Sequence, residues 1–199
     1  MLKFETYTYT VVNGEVEDAD VVYDEDGEPA AAASSSSSSS SKSKSKKETR
    51  TGMRVVLATA FMLARTPGKI NADGTHKLTV ADLNVLMMGF DDAASHFQPV
   101  LLVVTTTERA GDFKFGFEQW SEAAPHLRRL DSGAIEYVED GSAGIWRPQK
   151  LLADGSNAIK KGFLLAFGTP EGAKVQPWHR TEDDVYMCGN HLEAVRHLI

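Results

Sequence analysis

The chain has 199 residues, 42% hydrophobic and 25% charged, with a formal net charge of −7, which suffices for one domain with a sizeable core. The acidic balance argues against extensive duplex nucleic-acid contacts, which need a basic face to neutralise phosphates. A lone cysteine allows no internal disulfide, residues 1–7 carry no apolar signal-peptide core, and no apolar run approaches the ~18 residues of a membrane span, so the expectation is a soluble cytoplasmic protein without membrane contact.

Charge is segmental. Residues 1–29 hold one base, Lys3, against nine acids, and residues 42–50 hold five bases against Glu48. Phe4, Thr6, Thr8 and Thr10 alternate with Tyr7, Tyr9 and Val11, a pattern of β-branched and aromatic types that predicts a strand. Asn13-Gly14 is a strong hairpin signal and makes residues 15–23 the returning strand. Two strands alone are marginal in water, so this acidic hairpin, residues 1–29, must add to a sheet or to a partner. Residues 30–50 are an Ala/Ser/Lys low-complexity stretch, with eight serines in a row from Ser34. Nothing in it buries enough apolar area to offset the entropy of ordering, which predicts a flexible linker.

The globular part is expected over residues 51–199. Residues 54–63 are apolar and fit either a buried strand or a helix start. Thr79 followed by Asp82 suggests a helix start, with Leu83, Leu86 and Met87 on one face. Residues 100–104, after Pro99, form an unbroken apolar run, the pattern of a strand buried on both faces. Residues 115–130 predict a helix facing Phe117, Trp120, Ala124 and Leu127 inward. Residues 135–138, 163–167 and 185–188 predict short strands, the last followed by a helix presenting Leu192, Val195 and Ile199. Strands separated by helical stretches imply an α/β fold, a mostly parallel sheet flanked by helices, with the N-terminal β-hairpin and the Ser/Lys linker appended.

Val185-Tyr186-Met187-Cys188-Gly189-Asn190 resembles the last nucleotide-domain strand of the ferredoxin reductase family. Leu101 to Val104 with Arg109 and Asp112-Phe113 is similar to that family's second strand, and Leu57-Ala58-Thr59 to the start of its phosphate-binding turn. The resemblance implies NADP or NAD as cofactor, Cys188 in a catalytic position beside the nicotinamide with Gly189 and Asn190, Thr59 near the phosphates, and Arg109 at the adenosine end. The chain departs from the family at Ala60-Phe61-Met62, where a glycine-rich turn is usual, and the arginine-x-tyrosine-serine flavin signature is absent. What it implies is therefore a nucleotide-binding half without its flavin domain.

No Gly-x-Ser-x-Gly elbow and no phosphate-binding P-loop occur. Cys188-x-x-His191 has no second ligand pair, so no metal is expected. The alternative function is a non-enzymatic interaction or structural protein that docks a protein partner through its acidic N-terminal segment, since like-charge blocks beside a polar tether are usual for interaction segments.

Overall fold

Residues 100–104, expected to be buried on both faces, are not: Val100 is buried beside Leu101, but the strand alternates from there. Leu101, Val103 and Thr105 are buried, whereas Leu102 and Val104 between them are partly exposed, so this strand has one covered face and one open face. That asymmetry runs through the whole sheet of the computed structural model, which describes residues 2–12, 15–21, 47–65, 67–75, 83–132, 134–137, 146–153 and 156–187. In chain order the elements are β1 (Leu2–Val12), β2 (Glu15–Val21), β3 (Lys47–Ala58), α1 (Ala60–Leu63), β4 (Lys69–Thr75), β5 (Asn84–Asp91), β6 (Phe97–Thr105), α2 (Ala110–Ala123), β7 (Leu127–Arg129), β8 (Ile135–Tyr137), β9 (Lys150–Ala153), α3 (Asn157–Phe167) and β10 (Val185–Met187). Eight strands form one sheet in the order β10-β9-β4-β5-β6-β3-β1-β2, and β7 pairs with β8 in a separate two-stranded ribbon.

This corrects the expected fold class. The sheet is mixed rather than mostly parallel: β4/β9 and β9/β10 pair in parallel, while β1/β2, β1/β3, β3/β6, β5/β6 and β4/β5 are antiparallel. The reason is local. Leu86 and Met87, expected on one face of a helix, alternate across β5. The β5 to β6 connection is a tight turn in which Asp92 Oδ1 accepts the backbone N–H groups of Ala94 and His96, at 2.9 Å each. So short a link joins antiparallel neighbours, whereas parallel ones need a crossover of a dozen residues or more. Residues 163–167, expected as a strand, lie in α3, where Ile159, Phe163 and Phe167 recur at four-residue spacing and are all buried.

The helices share one face of the sheet. Phe113, Phe117 and Trp120 of α2 and Ile159, Phe163 and Phe167 of α3 form one core with Val56, Ile70, Leu86, Met88, Leu101, Val103 and Leu151. Phe117 meets Phe163 edge-on at 5.7 Å between ring centroids. The two helices approach closely because α3 has no side chain at Gly162: a Cβ there would lie 2.5 Å from Phe113 Cβ and 2.7 Å from the Ala110 carbonyl oxygen.

The hairpin belongs to this sheet. β1 pairs along all of β3, from Leu2 opposite Leu57 to Val12 opposite Lys47, so residues 47–50, assigned to the linker from sequence, are strand. A buried polar network locks β1, β3, β6 and α2 together. The Arg54 guanidinium sits 4.7 Å from the Tyr7 ring centroid and 4.9 Å from that of Phe115. Its Nε donates to Glu5 Oε2 at 2.8 Å and its Nη1 to the Gly111 carbonyl at 2.9 Å, with Asp112 Oδ1 at 3.6 Å. Thr107 Oγ1 donates to Asp112 Oδ2 at 2.7 Å, so the Tyr7 hydroxyl, 2.7 Å from the same Oγ1, must be the donor there. Burial pushes the Asp112 carboxyl above its ordinary value, against the opposing pull of Thr107, the Arg109 N–H and the Arg54 charge. Burial, then the Asp112 charge, raises Tyr7 as well.

Three outcomes follow from this packing. Asp112→Ala, which leaves the buried Thr107 hydroxyl and Arg109 N–H without their acceptor, lowers unfolding stability by about 1–3 kcal/mol in urea titrations below about pH 4. Because the folded-state value of Asp112 is raised above 3.8, its contribution is full below 3.8 and is lost as pH rises through the folded value. The stability of the native chain relative to Asp112→Asn therefore falls as pH rises above 3.8, and a difference flat with pH would contradict that linkage. Gly162→Ala destabilises by about 1–3 kcal/mol through overpacking, reversing the roughly 1 kcal/mol gain that helix propensity alone assigns to alanine; calorimetry of the single variant decides the sign.

Candidate functional site

Thr59 caps α1: its Oγ1 accepts the Met62 N–H at 3.3 Å, and its carbonyl accepts the N–H groups of Met62 and Leu63. The Met62 and Leu63 amides are thus committed to the chain itself. Arg109 is buried at the start of α2, where its Nε donates to Thr107 Oγ1 at 3.1 Å and its guanidinium lies 5.3 Å from the Tyr7 centroid. The two residues share no crevice. β3 and β6 are antiparallel, with Ala58 opposite Leu101 and Arg54 opposite Thr105, so Thr59 follows one end of this ladder and Arg109 the other. The five-residue ladder alone keeps them about 13 Å apart. Cys188, Gly189 and Asn190 lie outside the described residues. Among the described residues no group of three or more His, Cys, Asp or Glu is placed to hold a metal ion.

The arrangement best suited to a function is the sheet face opposite the helices. Strand alternation places Phe4 of β1, Val55 of β3, Val104 of β6 and Val85 of β5 in one cross-strand row. Leu57, Leu102 and Met87 make the next row, which ends at Asp73 of β4. Phe4 is 60% and Leu57 41% exposed, and the others are partly exposed. None of these apolar side chains belongs to the core cluster under the helices. An apolar patch rimmed by polar residues, on an otherwise charged surface, is the physical signature of an interaction site.

The polar rim lies toward β4, β9 and β10 on the same face. Lys69 and Lys150 stand side by side in register on β4 and β9, both exposed. Lys150 Nζ donates to the Tyr186 hydroxyl at 3.0 Å, which raises the lysine's pKa and keeps it charged. With Asp91, Leu152 and Tyr186 the two lysines line a concavity of about 320 Å³.

Sequence reasoning missed this face because residues 100–104 form a continuous apolar run, which reads as burial on both sides rather than as alternation. Two signals were present. Arg54 interrupts the apolar pattern of β3, and Met87-Met88 places flexible thioethers on both faces of β5.

No helix among the described residues is long and apolar enough to cross a membrane. No protein-family model matches the chain, and no solved structure does. One stretch is similar to protein transport protein sec31 of Emericella nidulans, 28% identical over 112 residues, which is 56% of this chain and 8% of the length of that protein.

Proposed function

We propose that this chain is a non-enzymatic protein-interaction module that works through the open face of its sheet. The observation that carries the reading is the apolar patch of Phe4, Val55, Leu57, Val85, Met87, Leu102 and Val104, to which neither α2 nor α3 contributes a core side chain. The polar residues under the helices are engaged in holding strands to helices, with hydrogen bonds running from Tyr7 to Asp112. Covering these side chains with a partner gains about 25 cal/mol per Å² of the apolar surface they still expose, most of it on Phe4 and Leu57, before the cost of association.

The likeness to a segment of sec31 favours the same class, since that protein is named for protein transport and the shared stretch is a small part of it. A cytoplasmic setting, in a transport context, goes with that reading. It also relocates the docking surface from the acidic N-terminal segment to the sheet face, because Glu5 and Tyr7 of β1 are already committed to Arg54 and Thr107.

Affinity capture from cell extract tests the reading with three baits: the native chain, Leu57→Asp, and Glu122→Lys on the exposed side of α2. Proteins retained by the native chain and by Glu122→Lys are lost from Leu57→Asp, while the three melting temperatures agree within about 2 °C. An unchanged set of retained proteins on Leu57→Asp rules out the open face as the docking surface.

A further inference from the structure

One border of the sheet is half covered. β2 lies against β1 only from Val21 opposite Thr8 to Glu15 opposite Val12, whereas β3 pairs along all of β1 from Leu2 onward. Among the described residues no strand therefore lies outside residues 2–7, and alternate residues there turn their backbone N–H and C=O groups to a side without a ladder partner. Such an edge is a template for another strand.

The side chains along the edge select that strand. Phe4, 60% exposed, and Thr6 stand on the open side of the sheet, and Lys3 and Glu5 on the helix side. Lys3 has no ion-pair partner among the described residues, and its ammonium sits 6.0 Å from the Phe115 ring centroid. Glu5 gives Arg54 only Oε2, and its side chain remains 39% exposed. A second copy that continues the sheet antiparallel is related to the first by a two-fold axis normal to the sheet, which keeps each face on its own side. Residues directly opposite then share a face, so the axis passes between one residue and its own copy. Centred on Lys3, this pairing sets ammonium against ammonium; centred on Glu5, it sets carboxylate against carboxylate. Centred on Thr6, it runs into the stretch that β2 already occupies. Centred on Phe4, it places Lys3 of each copy opposite Glu5 of the other, on either side of an aromatic pair, and ends at Thr6, short of β2.

We propose that residues 2–6 of β1 pair antiparallel with the same residues of a second copy of this chain, in the register centred on Phe4, so that the two eight-stranded sheets become one continuous sheet. A contact of five residues a side falls well below the ~1,200 Å² of a stable interface, which makes the dimer weak and dependent on concentration. The pairing uses a backbone edge and leaves the outward side chains of β3, β5 and β6 uncovered, so it is separate from the docking-face reading above. It sets the two apolar patches side by side on one surface.

Sedimentation velocity of the full chain from about 5 to about 300 µM tests the proposal. The native chain moves from monomer toward dimer across that range at about 50 mM salt and less so at about 500 mM, because exposed ion pairs are screened. Lys3→Glu, which sets carboxylate against carboxylate on both sides of the axis, raises the dimer dissociation constant at least tenfold, and Leu57→Asp leaves it unchanged. In a Cys188→Ser background, which removes the one native thiol, Phe4→Cys forms a disulfide-linked dimer under mild oxidation, since a residue on the axis lies about 5 Å from its copy between Cα atoms. Thr6→Cys, about 14 Å from its copy, does not. A chain that is monomeric throughout, a dimer untouched by Lys3→Glu, or a Phe4→Cys variant that links no better than Thr6→Cys overturns the proposal. A dimer lost in Leu57→Asp overturns it too and moves the contact to the open face. In each of these cases the docking-face reading still stands if Leu57→Asp strips captured proteins from the chain.

Discussion

The structure depends on one buried cation. Arg54 lies between two aromatic rings, bonded to a carboxylate from β1 and to a carbonyl from the first turn of α2, with the Asp112 carboxylate beside it. A guanidinium taken out of water is costly unless its charge and its donors are matched. Every element that matches it here comes from a different part of the chain, so the cation is satisfied only when β1, β3 and α2 are all in place. Tyr7 extends the same constraint to Thr105 at the end of β6 and to Thr107 just beyond it, whose single hydroxyl proton is spoken for by Asp112 and fixes the direction of the Tyr7–Thr107 bond.

That constraint explains why the molecule is two-sided. Arg54, Val56, Val103 and Leu86 point toward the helices, and with α2 anchored there its aromatic residues and those of α3 fill the space above them. The intervening positions of the same strands point away from that core. They carry valine, leucine and methionine where a solvated antiparallel face ordinarily carries polar residues. A polar rim then begins at β4, where Asn71 and Asp73 replace aliphatic residues, and continues to the lysines of β4 and β9.

Much of the local structure was legible. The alternation in residues 4–11 is β1 and residues 185–187 are β10, while the helix expected over residues 115–130 is α2 only as far as Ala123 and gives way to β7 at Leu127–Arg129. The layer arrangement was not. Leu86-Met87-Met88 has no period that separates helix from strand, and the deciding feature was the Asp92 turn, whose carboxylate closes a hairpin and makes β5 and β6 antiparallel. Phe163 and Phe167 belong to an apolar run that reads equally as strand, and only the partner surface of α2 resolves it. Thr59 and Arg109, which the resemblance would bring to one ligand, follow opposite ends of the antiparallel β3/β6 ladder. The apolar patch on the open face was hidden because it is apolar in a protein whose core is also apolar.

β3 shows what that similarity demands. Val55, Val56 and Leu57 are near-equivalent in size and polarity, so a slip of one residue would exchange core-facing for outward-facing side chains with little change in buried hydrocarbon. What the slipped strand cannot reproduce is the Arg54 position, which would turn the guanidinium outward and leave Asp112 enclosed without its counter-ion. One charged side chain thus acts as the register pin of a strand whose two apolar surfaces would otherwise be interchangeable.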